Sequence, residues 1–189
     1  MARPLIGILA LQGDFEAHAA ALARAGADAF QVRTAGELDR AAALVIPGGE
    51  STTMLKLLRE ESLFDTLLAF GRRRPIFGTC AGAILLASRV THPEQESLGL
   101  MDFDIERNGY GRQLDSRVAS LDDAVGGPLE AVFIRAPIIR RVGPAVRVLA
   151  RYQGEPVLLE DGLHLAATFH PELSQDGRIH RRFVEKTAL

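Results

Sequence analysis

Short apolar runs that alternate with helix-period segments constrain this chain more than any other feature. Leu5 to Leu11 is an apolar run that ends at Gln12-Gly13, and Phe15 to Ala25 then repeats apolar residues at helical spacing until Gly26. Ala27 to Val32 and Ala43 to Ile46 read as further strands, the latter broken by Pro47-Gly48-Gly49. Ser51 to Leu58 and Leu63 to Phe70 return to helical period. After Arg74-Pro75 a fourth strand, Ile76-Phe77, turns through Gly78 to Gly82 into a helix over Ala83 to Ser88. Strands alternating with helices at this spacing form parallel βαβ units, whose crossovers cover both faces of the sheet. The fold class expected is α/β, three-layered, with an open and mostly parallel sheet flanked by helices.

The second half changes character. Phe103 to Arg107, Val118 to Leu121, Val132 to Arg135, Val146 to Tyr152, Val157 to Glu160 and Leu163 to Phe169 are strand candidates with short connections, and Arg178 to Thr187 reads as a closing helix. Short connections favour antiparallel strands added to the first sheet over a second domain. At 189 residues the chain is expected to be one domain, residues 1–189, able to bury a core without staples.

Charge narrows the function classes. A formal net charge of −2 gives no reason to expect a nucleic-acid surface, and Arg72-Arg73-Arg74 and Arg181-Arg182 read as solvated helix ends. One cysteine cannot close an internal disulfide. The start lacks the serial pattern of a secretion signal, and no apolar run reaches membrane-spanning length. The expected setting is the cytoplasm, with no membrane partner.

Ligands of an open α/β sheet collect beyond the carboxyl ends of its strands. Three strand-leaving loops there carry unusual residues: Gln12-Gly13-Asp14, Pro47-Gly48-Gly49-Glu50-Ser51 and Gly78-Thr79-Cys80-Ala81-Gly82. A fourth segment, Phe169-His170-Pro171-Glu172, follows the last strand. Gly-x-Cys-x-Gly between strand and helix is the cysteine form of a nucleophile elbow, in which the glycines relieve crowding at a sharp, strained turn. The helix that follows presents N–H groups and positive dipole to the sulfur, which favours thiolate. A lone cysteine also fits an inert core position, and the glycines are what tip the balance.

Of five histidines, His18 lies in an expected surface helix and His92 in a proline-containing loop, and both look incidental. His164 starts the last strand and His180 lies in the closing helix. Only His170 ends a strand with a carboxylate two residues on, where Glu172 can orient an imidazole and stabilise its charged form. A loop histidine beside a solvated glutamate is the plainer reading of that triplet alone. In Pro47 to Thr52, Ser51 or Thr52 can cap the next helix with Glu50 near its positive end. The paired glycines equally suit an oxyanion hole, and a phosphate-binding loop is weaker because the P-loop lysine spacing is absent.

Taken together, these segments resemble the class I, triad-type glutamine amidotransferases, which are built on a flavodoxin-like sheet. The cysteine elbow and His-x-Glu are common to that class. Pro47-Gly48-Gly49-Glu50-Ser51-Thr52-Thr53-Met54, Glu106-Arg107-Asn108, Gly111-Arg112-Gln113 and Phe133-Ile134-Arg135-Ala136-Pro137 resemble its vitamin B6 branch, the glutaminase subunits of pyridoxal 5′-phosphate synthases. Ile84 stands where many other class members carry glutamine, and Ala83 is smaller than that branch leads one to expect, a change for packing more than chemistry.

The resemblance implies a glutaminase with the triad Cys80, His170 and Glu172. It implies a glutamine pocket of Gly48, Gly49, Glu50, Arg107, Ile134 and Arg135; on charge alone an arginine can meet the α-carboxylate and Glu50 the α-ammonium, and which contacts are side chain and which backbone is left open by the sequence. Backbone N–H groups near Gly49 and at Ala81 would hold the oxyanion, and Gln12 is an element of that hole or of an activation switch. No metal or organic cofactor is expected. The expected partners are L-glutamine and a separate synthase subunit that receives ammonia within a hetero-oligomer. The alternatives are a glutaminase serving another pathway, a γ-glutamyl peptidase, and a non-catalytic binding protein on the same sheet.

Overall fold

A computed structural model describes residues 2–108, 117–121 and 126–188. In the first half β1 (Leu5–Leu9), β2 (Asp28–Val32), β3 (Ala43–Ile46) and β4 (Ile76–Thr79) are joined by α1 (Phe15–Arg24), α2 (Ala35–Asp39), α3 (Ser51–Glu60) and α4 (Phe64–Gly71). From β4 the chain turns directly into α5 (Ala81–Leu86). The second half supplies β5 (Ala87–Thr91), β6 (Met101–Glu106), β7 (Arg117–Leu121), β8 (Leu129–Phe133), β9 (Ile138–Val142) and β10 (Arg147–Tyr152). It ends with β11 (Glu155–Glu160), β12 (Leu165–Ala167) and α6 (Arg178–Glu185).

The main sheet has seven strands in the order β2-β1-β3-β4-β12-β11-β10. Strands β2 through β12 run parallel, and β11 and β10 are added antiparallel. The order reverses between β1 and β3, so a crevice opens there beyond the strands' carboxyl ends. The loops that leave β1, β3, β4 and β12 all reach that edge.

Side-chain alternation along the strands separates two cores. Leu44 and Ile46 of β3 and Ile76 of β4 join Met54, Leu58 and Leu67 of α3 and α4 on one face. Ala43, Val45 and Phe77 join Leu22 of α1 and Ile179 and Phe183 of α6 on the other. Because β3 and β4 are covered on both sides, all their residues are buried, as their unbroken apolar runs require.

The second half departs from expectation in three places. Of the second-half strands only β12, β11 and β10 join the main sheet, β12 parallel to β4 and the other two through antiparallel pairing; β5-β6-β9 is a separate three-stranded sheet and β7-β8 a separate antiparallel pair. The expected helix Ala83–Ser88 instead spans Ala81–Leu86, and Ala87 and Ser88 open β5. Strand β9 went unforeseen because Arg140 and Arg141 interrupt its apolar run. Arg140 is answered by Glu106 of β6 and by Glu155 of β11, and Arg141 by Asp102 and Asp104 of β6.

The basic clusters are not simply solvated ends. Arg74 donates to the carbonyls of Asp39 and Ala41, and Arg182 binds Glu160 with both Nε (2.8 Å) and Nη2 (2.7 Å). No helix among the described residues is long and apolar enough to cross a membrane.

Candidate active site

The elbow is set by steric limits. Cys80 sits between β4 and α5 at φ 50°, ψ −104°, a conformation that non-glycine residues rarely adopt. A Cβ on Gly78 would lie 2.5 Å from the Gly82 carbonyl, and one on Gly82 only 2.0 Å from the Ile46 oxygen. Both obstacles are backbone, so only glycine fits at either flank. The Cys80 N–H is tied to the Ala167 carbonyl of β12 at 2.8 Å, and its Sγ lies 4.0 Å from the Ile134 oxygen.

His170 reaches the same point from the far end of β12. Its Nδ1 shares a 2.7 Å hydrogen bond with Glu172 Oε1, made possible by the short 3-10 turn Pro171–Leu173. Its N–H donates to the Val132 carbonyl of β8 at 2.8 Å. Burial pushes the imidazole down, but the Cys80 side chain and the Glu172 carboxylate outweigh burial and raise it to about 10. Burial raises Glu172 in turn, and its hydrogen bond from His170 more than offsets this, so it stays below the usual carboxylate range. The arrangement favours an imidazolium between two acidic groups.

Gly48 makes this packing possible. A Cβ there would fall 2.4 Å from His170 Cε1 and 3.4 Å from Cys80 Cβ. Gly49 has φ +143°, open to glycine alone, and lies against the Gln12 side chain. Gln12 Oε1 accepts from the Glu50 N–H at 3.2 Å, so the loops after β1 and β3 are held together.

Gln12, Gly49, Glu50, Ser51, Cys80 and His170 form one side of a pocket of about 430 Å³, with Ile84, Arg107, Asn108, Ile134 and Arg135 forming the rest. Glu50, not Ser51 or Thr52, is the N-cap of α3: its carboxylate accepts from the Thr53 N–H at 2.9 Å. The other carboxylate oxygen accepts from Arg107 at 2.8 Å. Burial raises Glu50, while hydrogen bonds from Thr52 and Thr53 win and hold it low. An ionised Glu50 thus sits beside a guanidinium in the pocket wall, as the α-amino and α-carboxyl groups of an amino acid would require. Arg135 is exposed at φ 42°, another sparsely populated conformation, in the loop whose Ile134 carbonyl faces the thiol.

Of the expected site residues, all but Gly48, Ala81 and Glu172 line the pocket. Gly48 packs against His170, Ala81 opens α5 beside the thiol, and Glu172 stands behind the imidazole. Gly111-Arg112-Gln113 lie outside the described residues. Ser51 lines the pocket too, its hydroxyl donating to Gln95 at 2.9 Å.

The reading of His18 is corrected: it is fully buried, with Nε2 3.5 Å from Glu172 Oε2. Leu22 and Ala21, four and three residues on, are also buried, and that helical stripe was the available signal. His92 remains an exposed loop residue, and His164 Nδ1 accepts the Ile76 N–H at 3.1 Å beneath the sheet.

The model of the SNO glutamine amidotransferase family matches residues 8–189. The chain is 58% identical over 188 residues to the pyridoxal 5′-phosphate synthase subunit PdxT of Solibacter usitatus, covering 96% of this chain and 98% of that one. It is 48% identical over 190 residues to the subunit of the same name from Thermus thermophilus, with 97% of each covered. A solved glutamine amidotransferase superposes with a TM-score of 0.90 at 46% identity, over 97% of this chain and 99% of its own. With its sheet order, its cysteine elbow and these likenesses in agreement, the chain belongs to the SNO glutamine amidotransferase family.

Proposed function

We propose that this chain hydrolyses L-glutamine to L-glutamate and ammonia, and passes the ammonia to a separate synthase subunit that makes pyridoxal 5′-phosphate. The observation that carries the chemistry is Cys80, held at positive φ beside a His170 that Glu172 grips at 2.7 Å. The pathway and partner are supported by the relatives' shared name. The reaction belongs to the cytoplasm, and residues 1–189 act as one glutaminase domain in a hetero-oligomer with the synthase.

Glutamine enters with its α-ammonium toward Glu50 and its α-carboxylate toward Arg107, parting the two from each other. Ile134 and Arg135 close the opposite wall. Cys80 Sγ attacks the side-chain amide carbon, and the carbonyl electron pair moves to oxygen, where the Gly49 and Ala81 N–H groups stabilise it. Gln12 acts by holding the loop that carries Gly49. Collapse of the tetrahedral intermediate breaks the C–N bond as His170 gives its proton to the leaving nitrogen. His170 then takes a proton from water, whose oxygen attacks the thioester carbon; the C–S bond breaks, and glutamate leaves as the Cys80 thiolate and His170 imidazolium are restored. These steps draw only on this chain's groups and water.

Ammonia released into water would be protonated and lose its nucleophilicity, so transfer calls for a protected path to the consuming subunit. The test is glutamine turnover with and without a pyridoxal phosphate synthase subunit, following ammonia, glutamate and glutamine-dependent pyridoxal phosphate. Turnover is expected to rise on adding the synthase and product to require glutamine. Glutamate without free or transferred ammonia would mark a γ-glutamyl peptidase instead.

The raised His170 gives a second expectation. Its protonated form serves as the acid, so the alkaline limb of kcat/KM should fall near pH 10. The same shift stabilises the fold fully below about pH 6.5, and that contribution is lost as pH rises through about 10. A limb near neutrality, measured on the complex, would contradict the Cys80–His170–Glu172 arrangement.

A further inference from the structure

Behind the triad lies a second layer of titratable groups that the steps above do not use. His18 of α1 and His180 of α6 are both fully buried. His18 Nδ1 lies 3.2 Å from His180 Nε2, and His18 Nε2 lies 3.2 Å from Thr79 Oγ1 and 3.5 Å from Glu172 Oε2. Phe77 packs edge-on against both rings. Glu172 Oε1 is engaged by His170, but Oε2 is buried without a hydrogen-bond partner among the described residues. A buried carboxylate oxygen is costly unless an N–H or positive group faces it. His18 Nε2 occupies that position.

The proton positions follow from the geometry. Burial pushes both rings down, His180 to about 3, so both are neutral at pH 7 and each carries one N–H. With its proton on Nε2, His18 donates to Thr79 Oγ1 at 3.2 Å and turns the positive end of the N–H toward Glu172 Oε2 at 3.5 Å, whereas a bare Nε2 would set its lone pair against that carboxylate, so the proton sits on Nε2. Nδ1 of His18 is then an acceptor, and His180 must offer it Nε2–H. That leaves His180 Nδ1 as a bare lone pair, and this is the ring atom found buried without a partner. No group of three or more His, Cys, Asp or Glu side chains among the described residues is arranged to hold a metal ion.

We propose that His18 and His180 are positioning residues of the glutaminase site, two neutral imidazoles whose N–H dipoles run in series toward Glu172. The pair holds Glu172 ionised and aimed at His170, and so acts on Cys80 only through them. This inference rests on the triad reading above.

The test compares His18→Leu with His18→Gln, whose side-chain amide can offer a donor near the lost Nε2. In the complex with the synthase subunit, His18→Leu should lower kcat for glutamine at least about tenfold with KM within about twofold, and His18→Gln should recover a third or more of the loss. In the chain alone, histidine-resolved NMR should find Nε2–H tautomers at His18 and His180 at pH 7. The His170 titration midpoint should drop by about one unit in His18→Leu, which is a tenfold loss in proton affinity. If His18→Leu fails to fold, His180→Leu against His180→Gln provides the same comparison one ring further out. An unchanged kcat with an unchanged His170 midpoint, or Nδ1–H at His18, overturns the proposal. A wild-type complex that releases no ammonia would sink the functional reading instead, while the NMR measurements still decide the role of the two rings.

Discussion

The Cys80→Ala chain is expected to fold, to bind its synthase partner, and to hydrolyse glutamine about 10⁴-fold or more slowly than wild type, the scale of loss when a covalent nucleophile is removed. Cys80 is buried, and alanine at φ 50°, ψ −104° is as strained as cysteine, so the substitution removes the sulfur without changing the cost of the backbone. The hydrogen bond from the residue 80 N–H to Ala167 does not depend on the side chain. Removing one sulfur should therefore cost on the order of 1 kcal/mol of stability, visible as a small shift in denaturation midpoint. A second signal separates lost chemistry from lost structure. Cys80 is one of two groups that raise His170, so the His170 midpoint should fall below about 10 while its hydrogen bond to Glu172 persists. Ammonia release at a wild-type rate would remove Cys80 from the mechanism.

What was legible in the sequence was short-range. Gly78 and Gly82 announce the elbow because each meets backbone within a few residues of sequence or at the adjacent strand. His170 and Glu172 are two residues apart, so one local turn brings their side chains together. The inner strands β1, β3 and β4 were readable because burial on both faces demands unbroken apolar runs.

What was missed depended on distant partners. His18 meets His180 across 162 residues, and nothing near either one in sequence reports it. Its inward face was inferable from Ala21 and Leu22, but its role was not. Helix α2 went unread because five residues carry too little period, although Thr34 and Glu37 form a capping box at its start. Glu50 was expected to meet substrate; it also caps α3 locally through Thr53 and pairs with Arg107, which follows β6 57 residues on. Charge on β9 hid a strand that its neighbours neutralise. For His18, Glu50 and β9 tertiary contact overrode a local signal, whereas α2 was too short to give one.

Gly48→Ala is expected to reduce kcat by about 10² or more, the scale of a misplacement of about 1 Å at reacting groups, with KM changed only a few-fold. Gly48 does not have a positive φ, so alanine can adopt its backbone, and the effect comes from the methyl group alone. That methyl would lie 2.4 Å from His170 Cε1, where carbon atoms rest at about 3.5–4.0 Å, so the ring must retreat by about 1 Å. The ring cannot retreat freely: Glu172 holds Nδ1 at 2.7 Å, and the methyl also meets Cys80 Cβ at 3.4 Å on the thiol side. Movement therefore lengthens the contacts that raise His170, and its midpoint should fall along with kcat. Overpacking of this kind costs about 1–3 kcal/mol, which thermal denaturation can measure independently of activity. Gly49→Ala is the informative contrast. Its φ of +143° is strained for any side chain, and its methyl would face Gln12 at 3.3 Å, not the imidazole. It should disturb the loop and the oxyanion donors while leaving the His170 midpoint in place. If Gly48→Ala kept both its kcat and its His170 midpoint, the imidazole would not be working from the position the glycine leaves open for it.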